Sequence, residues 1–314
     1  MNTTVYSHTH IDAILPAPLS PGDLIGVVAP ASPFNEADFF RGIQVLKDMG
    51  FQMALRPHLF DRSGYLAGTD ADRATQVNEA FADDDIRAIV CARGGYGAMR
   101  MLPYLDFDLI HRHPKLFMGF SDITALLCAL YQSGGLVCLH GPVVTTLRNA
   151  GANTRTSVFK ALTSKEGTDI FLENSVTLHP GAAVGPLICG NLTTLCHLAG
   201  TPFQPVLDGH ILILEDRGEK PYRLDRMLTQ MKLAGMFGGL KGLGLGGFDA
   251  CGSMTEVLNV VQNIFQPMEI PMLAGFDIGH GQENTVVPVG VKVLLDADRH
   301  LLSWCFAADA EREV

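Results

Sequence analysis

Three polar residues of types that carry acyl-transfer chemistry sit in matching settings. Ser121 follows the apolar run Leu116-Phe117-Met118 through Gly119 and Phe120. Glu215 follows Ile211-Leu212-Ile213-Leu214, and His280 stands between Gly279 and Gly281 after an apolar segment starting at Met272. A nucleophilic hydroxyl, an imidazole that takes its proton and a carboxylate that orients the imidazole must be close in space, not in sequence. A histidine between glycines suits a loop tip shaped for close backbone approach. The segment Arg93-Gly94-Gly95-Tyr96-Gly97 adds a place for oxyanion donors, since glycine lets N–H groups face a pocket with no Cβ in the way. The amide of Asp122, directly after the candidate nucleophile, is a natural second donor at a helix start. Each feature also has a plainer reading. Serine is a common helix N-cap, a lone strand-end glutamate suits a solvated surface, lone histidines are mostly structural, and RGGYG serves equally as a βα turn.

Holding such residues together requires buried strands that end at one edge. The stretch from Lys115 to Gly134 reads as a short strand turning into a helix at Ser121. Ile123, Leu126, Leu127 and Leu130 follow at helical spacing, and Ser133-Gly134-Gly135 stops the pattern. Upstream, strands are expected over 23–29, 51–56 and 86–92, with helices over 36–48 and 70–82 between them. A fifth strand is expected over 136–140. Strands separated by helices at this spacing indicate βαβ units and a mostly parallel sheet, whose ligands bind beyond the carboxyl ends of the strands. Ser32, Gly94-Gly95 and Ser121 should therefore share one edge. Residues 142–181 are less regular, with one short helix near 157–162, and 164–181 reads as a link to a second unit. That unit has strands expected near 185–190, 210–214, 240–248 and 272–278, helices over 191–198, 222–233 and 255–265, and a hairpin over 286–304 turning at Asp296-Ala297-Asp298.

Composition narrows the classes. The chain has 314 residues, 47% of them hydrophobic, enough for one large or two medium domains with real cores. A net charge of −10 argues against nucleic acid or an anionic membrane surface as partner, and leaves any anionic substrate dependent on a local cation. No apolar run approaches a membrane span, and the N-terminal stretch lacks the marks of a secretion signal. Seven cysteines without a CxxC pair read as reduced thiols of a cytoplasmic protein. No cofactor motif stands out: Leu243-Gly244-Leu245-Gly246-Gly247 lacks the spacing of a dinucleotide fingerprint. His8-Thr9-His10 has no partner set for a metal, so none is expected.

Five segments together resemble a known family. GFSDITALL (119–127), ARGGYGAMRMLPYLDFDLI (92–110), GPLICGNLTTL (185–195), ILEDRGEKPYRLDRML (213–228) and GFDIGHGQENTVVPVG (275–290) are similar, in order, to the L,D-carboxypeptidases of serine peptidase family S66. The resemblance implies an α/β fold: an N-terminal flavodoxin-like parallel sheet (1–164), a link (165–181) and a smaller C-terminal mixed α/β domain (182–314), usually as a homodimer. It implies Ser121 as nucleophile, His280 as base and then acid, Glu215 orienting His280, and the N–H groups of Gly95 and Asp122 as oxyanion donors. The expected substrate is a murein tetrapeptide losing its terminal D-alanine, with Arg93 and Arg226 as candidates to hold its carboxylate. Two alternatives are a microcin-immunity-like hydrolase of peptidyl- or aminoacyl-nucleotides and a non-catalytic muropeptide-binding protein. One departure is Cys189, where the family pattern leads us to expect glycine; it is expected to lie away from the triad.

Overall fold

A computed structural model of the protein describes residues 13–306; the HxH motif at His8 and His10 lies outside them. The first sheet contains β1 (Leu24–Val28), β2 (Gln52–Leu55), β3 (Ile86–Cys91), β4 (Leu116–Gly119) and β5 (Cys138–His140), in the spatial order β2-β1-β3-β4-β5 and all parallel. This is the flavodoxin-like order expected of a doubly wound sheet. The helices Glu36–Asp48 and Asp70–Ala82 occupy the expected residues. Asn35 caps the first, and Thr69 with Asp72 forms a capping box on the second, so the local signals alone fix both starts. β1, β3 and β4 are buried almost throughout, as strands covered on both faces must be.

The second sheet has eight strands: β6 (Thr168–Phe171), β7 (Val176–His179), β8 (Ala182–Asn191), β9 (Ile211–Arg217), β10 (Gly242–Asp249), β11 (Met272–Ala274), β13 (Lys292–Asp296) and β14 (Leu301–Trp304). β8 to β11 run parallel and the flanking strands antiparallel, giving the mixed α/β character expected. It carries eight strands against six in the first sheet, where β12 (Val287–Val289) adds to the five already given.

Three expectations need correction. The segment 164–181 is not a bare link, because β6 and β7 lie in it at the two edges of the second sheet. Its polar, alternating pattern is that of half-exposed edge strands, which composition alone does not separate from a loop. The strand expected over 272–278 stops at Ala274, where Gly275 turns away at φ +111°. The segment 286–304 is not a single hairpin. Its first part, β12 (Val287–Val289), leaves the second sheet and pairs antiparallel with β5, closing the edge of the first sheet. Pro288 fits there because an edge strand can spare an N–H. Only β13 and β14 form the hairpin.

Candidate active site

Ser32, Gly94-Gly95 and Ser121 do share one edge, following β1, β3 and β4, which are neighbours in the sheet. Ser32 ties the loops together: its N–H donates to the Gly94 carbonyl (3.3 Å) and its Oγ accepts from Tyr96 N–H (3.1 Å). At the corner after β4, Phe120 is fully extended and Ser121 takes φ +65°, a left-handed conformation that is uncommon for a non-glycine residue and clusters at functional sites. The N-cap alternative fails here. Ser121 makes no capping bond to the helix Thr124–Gln132 or the short turn before it. Its Oγ lies 3.2 Å from His280 Nε2. Gly94 makes room for it: a Cβ there would stand 3.1 Å from Ser121 Cβ and 3.3 Å from its Oγ.

Glu215 is not beyond the end of β9 but within it, fully buried, paired with Asn191 of β8. Its Oε2 accepts from His280 Nδ1 at 2.6 Å, while Oε1 has no partner among the described residues. Strand alternation turns the next residue, Asp216, to the other face. Asp216 there accepts from Asn191 Nδ2 and from the N–H and hydroxyl of Thr193, so it holds the start of the helix Leu192–Leu198. Burial pushes the Asp216 carboxyl up against these bonds. Cys189 is nearer to this group than the sequence suggested. Burial raises its thiol first, and the Glu215 charge adds to the effect.

His280 belongs to a loop that leaves the second sheet and is fastened to the first unit. Gly247 of β10 donates to the Ile278 carbonyl (2.8 Å), and Asn284 Oδ1 accepts from Gly279 N–H (2.9 Å). Glu283 Oε2 accepts from Thr154 N–H (2.9 Å) and from the Thr154 hydroxyl. Asn284 N–H donates to Thr154 Oγ1 and Val286 N–H to Ser157 Oγ, both at 2.9 Å. The helix Ala152–Thr163 begins at Gly151 and has no capping side chain of its own. Glu283 supplies an acceptor and a negative charge at that N-terminus from 129 residues away. Sequence reasoning missed this strap. The available signal was a long helix with no local N-cap.

The corner is also packed. The Phe120 ring lies 4.8 Å from the His280 ring and 6.1 Å from that of His140. His140 is fully buried, neither ring nitrogen has a partner among the described residues, and burial pulls its pKa down to about 3. Asp122 Oδ2 accepts from Ala98 N–H (2.8 Å), joining the nucleophile corner to the exit of the RGGYG loop, and burial raises its carboxyl. No protein acceptor takes the N–H groups of Gly95 or Asp122 among the described residues. Neither Arg93 nor Arg226 lines the cavity beside His280. Arg93 is exposed and donates to the Pro33 carbonyl (2.6 Å), and Arg226 is exposed and stacks over Tyr222 at 5.4 Å. The cavity beside His280, about 510 Å³, is lined instead by Arg148 and Arg217. Among the described residues no group of His, Cys, Asp or Glu is arranged to hold a metal ion, and no helix is long and apolar enough to cross a membrane.

A hydroxyl, an imidazole and a buried carboxylate in hydrogen-bonded series, beside backbone amides without acceptors among the described residues, are the groups that hydrolysis by acyl transfer needs. Residues 25–141 match the LD-carboxypeptidase N-terminal domain and residues 184–295 the C-terminal domain of the same peptidase S66 group. The probable murein peptide carboxypeptidase of Bacillus subtilis is 37% identical, over 90% of this chain and 91% of its own length. The microcin C7 self-immunity protein of Escherichia coli is 30% identical, over 92% of this chain and 95% of its own. The crystal structure of a muramoyltetrapeptide carboxypeptidase from Oxalobacter formigenes superposes with a TM-score of 0.79 at 30% identity, covering 89% of this chain and 97% of that one. The chain belongs to the LD-carboxypeptidase family, peptidase S66.

Proposed function

We propose that this protein is a serine L,D-carboxypeptidase that releases the terminal D-alanine of murein tetrapeptides. The observation that carries the reading is the series Ser121 Oγ, His280 Nε2 at 3.2 Å, and His280 Nδ1 to Glu215 Oε2 at 2.6 Å. With Nδ1–H donating to a carboxylate that has no other partner among the described residues, Nε2 carries the lone pair and faces the Ser121 hydroxyl. Ser121 Oγ attacks the carbonyl carbon as His280 takes its proton, and the amides of Gly95 and Asp122 receive the developing oxyanion. His280 then delivers the proton to the leaving amine, the C–N bond breaks and an ester on Ser121 remains. Water, deprotonated by His280, hydrolyses that ester. Glu215 keeps the imidazole in one tautomer and stabilises its charged form, as the carboxylate of such a series does.

The test is mass spectrometry of L-Ala-γ-D-Glu-meso-diaminopimelyl-D-Ala incubated with the protein and with Ser121→Ala, EDTA being present in both. Loss of one alanine with the unaltered protein alone is expected. Loss with both proteins would overturn the role of Ser121. Loss with neither would favour a second reading, a hydrolase of aminoacyl- or peptidyl-nucleotides. Two observations support that reading: the similarity to the microcin immunity protein and an exposed ring pair, Tyr65 and Tyr96, 5.6 Å apart beside Gly95. A non-catalytic muropeptide binder is disfavoured because binding has no use for a hydrogen-bonded Ser–His–Glu series. A muropeptide partner, a homodimer and a cytoplasmic setting complete the proposal; light scattering that returns the mass of a single chain would remove the dimer.

A further inference from the structure

We infer that the cavity beside His280 is the subsite for the carboxylate of the departing residue, and that Arg148 and Arg217 recognise it. The inference deepens the carboxypeptidase reading and rests on it. Its first ground is sidedness. The histidine hands its proton to the leaving amine, so the departing residue lies on the histidine side of the scissile bond and the oxyanion donors on another. The cavity is lined by Phe120, Gly279, His280 and Gly281 and by no residue of the loop 93–97. It is therefore the space on the histidine side.

Its second ground is charge. A residue leaving from a chain end carries a free carboxylate, and a protein of net charge −10 offers such a group no help at long range. The cationic side chains lining the cavity are Arg148 and Arg217. Each is anchored from behind through one nitrogen: Arg148 Nη1 to Asp38, and Arg217 Nε to Asp249 at 3.0 Å. Both Nη groups of Arg217, and Nε and Nη2 of Arg148, have no protein acceptor among the described residues, which leaves the paired N–H donors that suit a carboxylate. The acidic side chain in the lining, Glu283, faces the helix start at Thr154 and is held there by two donors and the helix dipole. Removing Arg148 would not strand Asp38, because Arg41 also binds it at 2.6 Å.

The experiment compares cleavage of the tetrapeptide with a free C-terminal carboxylate and of the same peptide as its C-terminal amide. The proteins are the unaltered chain, Arg148→Gln, Arg217→Gln and Arg217→Lys. Losing a charge-assisted bond to the carboxylate is expected to raise KM for the acid about tenfold or more in each Gln variant. The preference for acid over amide falls by the same factor, and Arg217→Lys recovers part of it. Unchanged KM for the acid in both Gln variants would overturn the subsite, as would equal losses on acid and amide. If the unaltered protein cleaves neither peptide, the carboxypeptidase reading fails and the subsite goes with it. That outcome differs from the first two, in which the unaltered protein is active.

Discussion

Gly279→Ala tests whether the separation between Glu215 and the histidine loop sets the rate. Gly279 has φ +108°, and a Cβ there would stand 2.5 Å from Glu215 Oε2, 2.7 Å from its Cβ and 2.8 Å from its Cγ. Glu215 has no room to retreat, being fully buried with its Oε2 2.6 Å from His280 Nδ1. Restoring ordinary contact needs a displacement on the order of 0.5–1 Å of the carboxylate or the loop. A displacement of ~1 Å in a catalytic group costs about 10²-fold in rate, equal to about 2.7 kcal/mol of barrier. The backbone strain adds a stability loss of roughly 1–3 kcal/mol. Gly50→Ala separates the two effects: its φ is +97°, and the nearest atom to an added Cβ is Pro21 Cβ at 3.7 Å. It should lower Tm and leave kcat alone. The assay is D-alanine release, together with the labelling rate of Ser121 by a fluorophosphonate, which reads nucleophile activation without a peptide. Gly279→Ala with kcat and labelling within about threefold of the unaltered protein, and a Tm loss like that of Gly50→Ala, would refute the reasoning.

Glu215→Gln preserves shape but removes the charge that fixes the His280 tautomer, so kcat should fall by about 10³–10⁴-fold with KM little changed; a loss below tenfold would remove Glu215 from the series. Glu283→Ala should lower kcat with little change in KM, while the comparable cap removal Ser253→Ala, on the helix Met254–Phe265, should cost about 1 kcal/mol of stability and no rate. Equal kinetic behaviour of the two variants would make the Glu283 strap merely structural. His140 is neutral when folded, with a pKa near 3 against 6.5 unfolded, so the unfolded chain alone gains its proton below pH 6.5. Stability should therefore fall with acidification from pH 6.5 towards 3, by about 2 kcal/mol at pH 5 from this residue. His140→Leu should flatten that slope in chemical denaturation series at pH 7 and pH 5, and parallel slopes in the two proteins would refute it.

The elements whose signals are local were legible in the sequence. The helices 36–48 and 70–82 carry their own caps, and β1, β3 and β4 are short buried runs bounded by turn residues, so the edge holding Ser121 and Gly94-Gly95 followed from the chain order. What was not legible depends on distant partners. β12 reads as the first arm of a hairpin because its three residues are apolar like those of β13; nothing within 286–304 says that it pairs with β5 instead. The arginines that line the cavity beside His280 were not legible for a similar reason. Arg93 and Arg226 lie inside conspicuous motifs, whereas Arg148 ends a four-residue helix, Val144–Leu147, and Arg217 projects from the end of a strand. Their convergence depends on how the two sheets meet.

That meeting also explains the glycine-rich β10. A Cβ at Gly246 would stand 2.5 Å from the Ile278 carbonyl oxygen, so the bare backbone lets the segment before His280 lie directly on the strand. On its other side the same segment runs through Glu283 and Asn284 onto Thr154, then through β12 onto β5 beside His140. His280 is thus fixed between two sheets rather than carried by one, while Ser121 belongs to the first and Glu215 to the second. A shift of one sheet against the other would change the 3.2 Å separation, the 2.6 Å separation or both, unless the loop between them gave way. The hydrogen bonds at both ends of the loop oppose that yielding. The geometry of the site is therefore a property of the contact between the two halves, and neither half contains the arrangement alone.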